Sequence, residues 1–240
     1  MNKFIILYYI INITLNKKSI KIVCIIISII CVLILFSIYA ISAPSSQVLG
    51  KTVYKLNEDR NTSFLLLTFD DGPGPETPII FEELKKENIT AIFFVVCSHI
   101  SEDEKPLLKQ MAQEGQEIAL HGVDHHVFEK SSDIKKCKEE IENITNQKIK
   151  YYRFPYGIRT LNKLKLAKEL NLTVITWNIF PKDYNANSTE VIILRVERNL
   201  KPGAIICMHD GPENRMKTAE ALPEIIKYAR QKGYEFKALE

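Results

Sequence analysis

The chain has 240 residues, 46% hydrophobic and 25% charged, with 9 Gly and 10 Pro. Those proportions exclude a disordered, collagen-like or disulfide-scaffold protein and leave room for one ordinary domain plus an appendage. Of the formal net charge of +3, the first 43 residues hold four lysines and no acid, leaving 28 basic against 29 acidic side chains elsewhere; no basic face for nucleic acid is indicated.

From Ile22 to Ala43 the sequence runs for 22 residues without charge or proline. As a helix it reaches about 33 Å, the thickness of a bilayer's hydrocarbon core. Lys17, Lys18 and Lys21 precede it, so the positive-inside tendency places residues 1–21 in the cytoplasm and the rest outside. The expected organisation is a cytoplasmic tail (1–21), a transmembrane anchor or signal-anchor (22–43), a linker (44–61) and an outer domain (62–240). Cleavage after Ala43 is the alternative, and would yield a secreted domain. The earlier apolar stretch Phe4 to Ile13 is too short to span.

The outer part alternates. FLLLTF at 64–69 reads as a buried strand, Thr77 to Asn88 as a helix, AIFFVV at 91–96 as a second strand and Lys105 to Glu114 as a helix stopped by Gly115. EIALH at 117–121, a helix over Ser132 to Asn146, and YYRFP at 151–155 follow. Then come a helix from Thr160 to Leu170, TVITWNI at 173–179, a helix from Thr189 to Leu200, GAIICMH at 203–209, a helix from Thr218 to Lys232 and YEFKAL at 234–239. Such alternation means an α/β fold of parallel strands, either a barrel or a doubly wound sheet. In both, chemistry gathers at the carboxyl ends of the strands.

Cys24 and Cys31 lie in the span; Cys97, Cys137 and Cys207 beyond it, an odd number at no metal-like spacing, do not indicate a disulfide framework. Cys97 and Cys207 end apolar runs and read as buried strand residues.

The strand ends are where unusual residues collect: Asp70–Asp71, His121 with His125 and His126, Arg153, Tyr156–Gly157, Asp183, and His209. Four of the five histidines fall there. His121 and His125, four apart, can face one point. With a carboxylate, best Asp71, they make a common first-row metal set with open positions; His126 is the substitute for His125. Asp70, beside such an ion, is placed as general base. Arg153 can hold Asp70 in a fork, and Gly157 permits a turn that points the Tyr156 N–H at an oxyanion. His209 is the natural general acid, with Asp183 to hold its ring. Taken singly, each has a plainer reading: an acidic turn, a surface ion pair, a satisfied core histidine.

Together these segments resemble the polysaccharide deacetylases of carbohydrate esterase family 4, the NodB homology domain. TFDDG (68–72), HGVDH (121–125), RFPYG (153–157), FPKDY (180–184) and IICMH (205–209) are similar to its five motifs in order. The resemblance implies a distorted (β/α) barrel with fewer than eight strands, preceded here by the one transmembrane helix. It implies metal ligands Asp71, His121 and His125, base Asp70 braced by Arg153, an oxyanion donor at Tyr156, and acid His209 matched with Asp183. It also implies a divalent ion, usually zinc, with cobalt or nickel as alternatives, and removal of acetyl groups from a polysaccharide. Hydrolysis of N-acetyl groups on a cell-wall glycan is expected, with an O-acetyl xylan-type esterase or a membrane-anchored glycan-binding protein as alternatives. The expected partners are the acetylated polysaccharide and, through 22–43, the membrane, with no nucleic acid and no obligate protein partner. Four positions depart from the family's pattern: Gly122 stands where it has Ser or Thr, Phe180 where it has Asp, Tyr184 where it has Trp and Cys207 where it has Leu.

Overall fold

The computed structural model describes residues 17–56 and 63–239. It divides into two units, residues 1–41 and 42–240. The first is described as a single helix, α1 (Lys17–Ser42). Within it Ser19–Ser42, of mean hydropathy 3.2, is long and apolar enough to cross a membrane. Its apolar side chains, Val32, Leu33 and Leu35 among them, are exposed. The expected tail lies outside the described residues over 1–16.

The second unit alternates strand and helix as its sequence predicts: β1 (Phe64–Asp70), α2 (Thr77–Lys86), β2 (Ile92–Val95), α3 (Lys105–Gln113), β3 (Glu117–Leu120), α4 (Ser131–Thr145), β4 (Tyr151–Tyr152), α5 (Leu161–Glu169), β5 (Thr173–Val174), α6 (Thr189–Glu197), β6 (Ala204–His209), α7 (Met216–Gln231) and β7 (Glu235–Phe236). All seven strands are parallel, in the order β5-β4-β3-β2-β1-β6, with β7 beside the start of β1. The result is the expected distorted barrel with fewer than eight strands.

Strand alternation sorts the side chains onto two faces. Leu65, Leu67, Phe69, Phe93, Val95, Ile118, Leu120, Ile206 and Met208 form the main core with the helices. Leu66, Ile92, Phe94, Ala119, Tyr151 and Ile205 fill the inner face. Continuing that inner parity toward the carboxyl ends gives Thr68 and Asp70, His121, Arg153, and Cys207 and His209. The chemistry therefore occupies the last inward positions above an apolar plug.

The seam of the barrel comes from an unexpected place. Residues 44–61 read as a linker, yet over 44–56 the chain is tied to the sheet. Val53 bridges Ile175 and Lys55 bridges Ala204, joining the β5 side to β6. Leu56 is buried, and its N–H donates to Gly203 O at 2.9 Å. Arg159, 1% exposed, donates to the carbonyls of Ala43 and Ser46. A closing strand this short leaves no alternation to read. Residues 57–62 lie outside the described residues.

The fifth strand is shorter than its apolar run. Only Thr173–Val174 pair with β4; the carbonyls of Ile175 and Thr176 instead accept from the Arg153 guanidinium. Cysteine pairing also corrects the sequence reading. Cys97 is not a buried strand residue: it lies on the turn after β2 and is disulfide-bonded to Cys137 on α4, Cα atoms 5.8 Å apart. Forty residues separate the two, and connectivity does not show in spacing alone. Cys207 is the buried strand residue expected.

Candidate active site

β1 delivers Asp70 on the inner face, 3% exposed. Asp71 would then point outward, but its φ of 72° turns the chain so that both carboxylates reach the same cleft. Its carbonyl is fixed by His99 Nδ1 at 2.8 Å.

Arg153 is fully buried and its Nη1 donates to Asp70 Oδ1 at 2.6 Å and to Thr68 Oγ1 at 2.8 Å. The guanidinium carbon stands 4.1 Å from the centre of the Phe94 ring. With Nε and Nη2 spent on backbone carbonyls, every face of the cation is engaged. Asp70 Oδ2 is left toward the cleft, where the Cys207 thiol donates to it at 3.3 Å.

His121 follows β3, and its Nδ1–H donates to Arg153 O at 2.7 Å. That contact sets the tautomer and turns the Nε2 lone pair inward. His121 Nε2 and His125 Nε2 lie 3.3 and 3.1 Å from Asp71 Oδ1. This oxygen is buried and has no hydrogen-bond donor. One ligand atom from each of the three residues lies within 4.8 Å of the others. Three acceptors facing one another repel unless positive charge sits among them, so the set fits a divalent cation.

The three groups and Asp70 also shift one another's titration. Burial pushes the Asp71 carboxyl up, but the close approach of His121 and the neighbouring His209 and His125 rings hold it well below the usual carboxylate range. Burial pulls His121 down, and the charges of Asp70 and Asp71 outweigh it and raise it. On His125 burial wins and lowers the ring.

The loop carrying His125 is held by residues the sequence did not single out. Glu129 Oε1 accepts from the N–H groups of Val123 and Asp124 at 2.6 and 3.0 Å. Lys163 Nζ lies 3.5 Å from Glu129 Oε2 and donates to His126 O at 3.1 Å. Gly122 has φ +103°, and a Cβ there would stand 2.7 Å from Glu129 Oε2. The Glu129 carboxylate thus occupies the space of the Ser or Thr that the resembled motif carries at 122. No local signal links Glu129 to Lys163, 34 residues away. His126, the alternative ligand, is outside the cluster.

His209 closes β6 in register with Asp70. Its Nδ1–H donates to Asp183 Oδ1 at 2.8 Å and its backbone N–H to Asp183 Oδ2 at 2.8 Å. Thr218 Oγ1 donates to Oδ2 at the same distance. Burial lowers the His209 ring, but the Asp183 hydrogen bond and charge, with Asp70 and Asp71, raise it to about 9. Phe180 and Tyr184, the departures in the fourth motif, wall this ring at 5.9 and 5.1 Å between centroids.

Tyr156 has φ 58° and its ring packs 4.5 Å from that of His125. The next residue, Gly157, admits no side chain: a Cβ would meet the Trp177 ring at 2.8 Å. Trp177, which the sequence showed only as part of a strand, therefore forms a wall. The cleft measures about 510 Å³ and is lined by Asp70, Asp71, His121, His125 and His209, while Arg153, Asp183, Glu129 and Lys163 act from behind. A neighbouring hollow of about 540 Å³ shares Trp177 and Phe180 but has no acid or imidazole.

Comparison with known proteins agrees with this geometry. The family model described as polysaccharide deacetylase matches residues 57–175. A peptidoglycan-N-acetylglucosamine deacetylase of Bacillus cereus is 32% identical over 197 residues, covering 79% of this chain and 71% of its own. A chitooligosaccharide deacetylase of Bradyrhizobium is 28% identical over 197 residues, covering 74% and 90%. Among solved structures, the Bc1960 peptidoglycan N-acetylglucosamine deacetylase superposes with a TM-score of 0.72 at 30% identity, over 78% of this chain and 91% of that one. A family 4 pseudoenzyme from Bacillus anthracis superposes with a TM-score of 0.69 at 26% identity, over 78% and 66%.

Proposed function

This chain belongs to the polysaccharide deacetylase family, and from that premise we propose that it hydrolyses N-acetyl groups on a cell-wall glycan, of the peptidoglycan or chitin-like N-acetylhexosamine kind. The observation that carries the proposal is the convergence of a braced carboxylate, a cation-fitting triad and an acid-positioned imidazole on one cleft. The names of the similar proteins support the substrate class. A pseudoenzyme shares the fold, so the activity is argued from the side chains and not from the superposition.

Asp71, His121 and His125 are proposed to hold the divalent cation, with zinc preferred and cobalt or nickel as substitutes. When bound, the ion supplies Lewis-acid polarisation of the acetyl carbonyl and lowers the pKa of the attacking water. Asp70 Oδ2 accepts the proton of that water as it attacks. Arg153 keeps Asp70 aimed, since Oδ1 is committed to the guanidinium. The Tyr156 N–H donates to the carbonyl oxygen as negative charge develops there. His209 Nε2–H gives its proton to the leaving nitrogen, while Asp183 fixes the ring and keeps it protonated near neutral pH. The products are acetate and a free amine.

The apolar helix and the Cys97–Cys137 disulfide support an anchor at 22–43 with the domain on the oxidising side of the membrane. An apolar helix with unburied side chains calls for lipid around it.

The test uses the full chain in detergent. Acetate should be released from N-acetylated chito-oligosaccharide or peptidoglycan, chelation should abolish the release, and zinc should restore it. Hydrolysis of O-acetyl xylan alone would favour the esterase. No release from any acetylated glycan, with the cation bound, would leave a glycan-binding protein.

A further inference from the structure

Cys207 stands two residues before the acid on β6 and 3.3 Å from the base. Residues 207 and 209 share the inner face of β6, and Asp70 lies across from them on β1. One ligand atom from each of Asp70, Cys207 and His209 lies within 4.8 Å of the other two, and all three residues are buried. This group shares no residue with the Asp71, His121 and His125 set. We propose that Asp70, Cys207 and His209 form a second metal site, which takes a thiophilic divalent cation such as excess zinc and thereby withdraws the base and the acid together.

The geometry of the ligands is already supported. His209 Nδ1 is committed to Asp183, which leaves Nε2 as the only ring ligand atom. Asp70 Oδ1 is committed to Arg153, which leaves Oδ2. Both arrangements are the outer contacts that orient metal ligands elsewhere. A sulfur, a nitrogen and an oxygen suit zinc, and the thiolate disfavours magnesium or manganese. All three residues line the cleft, so an ion has a path of entry and an open position toward solvent. On binding, the Cys207 Sγ–H and His209 Nε2–H bonds break, both protons pass to solvent, and the freed sulfur and nitrogen lone pairs form the bonds to the ion beside Asp70 Oδ2. No redox change occurs.

The effect on turnover rests on the roles assigned to Asp70 and His209 above; the binding does not. The experiment titrates the full chain, stripped of metal and held in detergent, with cobalt and then with zinc. The first equivalent, on one aspartate and two imidazoles, should give no thiolate-to-cobalt charge-transfer band in the near ultraviolet. The second should bring that band. With zinc, acetate release should rise with the first equivalent and fall about 100-fold at saturation with the second, the loss expected when acid and base are both withheld. Cys207→Ser and Cys207→Leu should lack the band, and their activity ratio between one equivalent and excess should stay near one. Cys24 and Cys31 remain in every variant and so serve as an internal control. A wild-type chain that saturates at one equivalent, or a band or inhibition that persists in both variants, would overturn the site. A chain that shows the band but no acetate release at any loading would keep the second site and sink the deacetylase reading instead.

Discussion

Asp183 grips His209 at two points, one carboxylate oxygen on the ring Nδ1 and the other on the backbone N–H, each at 2.8 Å. The proposed acid is thus oriented by a residue that never enters the cleft. Asp183→Asn should lower kcat and move the alkaline limb of kcat/KM to lower pH, because burial then dominates and draws the ring down from about 9. The sign for stability follows. The ring is raised above its ordinary 6.5, so its contribution is whole below 6.5 and is lost as pH rises through about 9. The melting-temperature gap between wild type and Asp183→Asn should therefore narrow across that window. A gap that is constant or widens would refute the coupling.

Asp70→Asn and His209→Ala should each lower acetate release by about 100-fold or more. Both variants should still bind one equivalent of zinc, since neither residue belongs to the triad. Turnover near that of wild type in either would show the base or acid assignment to be wrong.

Glu129→Gln should weaken zinc binding by about 10- to 100-fold, the range for residues that orient metal ligands indirectly. Competition against a chromogenic chelator measures this without reference to turnover. Gly122→Ser should not restore the family arrangement. Its Cβ would collide with the Glu129 carboxylate, and its backbone would sit at φ +103°. Affinity in that variant should fall as well; an increase would mean that the loop is not held as described.

Replacing Cys97 or Cys137 with Ser should destabilise the outer domain by about 4 kcal/mol, the loop-closure value for a separation near 40 residues. Denaturant titration with and without reductant checks it: reductant should shift the wild type and leave the variants in place.

The strand-end residues were legible because parallel β/α folds put function at one end and because strand parity repeats every second residue. Asp70, His121, Arg153 and His209 could be placed that way. What escaped reading depended on contacts with no periodic trace. Glu129 and Lys163 come from different loops and helices and meet only in three dimensions. The disulfide joins a turn to a helix. Trp177 looked like one more apolar position in TVITWNI, because nothing local says that the Arg153 side chain takes the carbonyls that would have extended the strand.

The short bridges at Val53 and Lys55 act as the last stave of a cask, set between two neighbours that come from 120 or more residues downstream. A recombinant fragment begun at residue 62, where the regular alternation starts, would keep the Ile179–Ile206 bridge but would leave the backbone at Ile175 and at Ala204 open to pairing with other copies and Arg159 without its carbonyl acceptors. Such a fragment should aggregate, whereas one begun at residue 43 carries its own hoop and should stay dispersed.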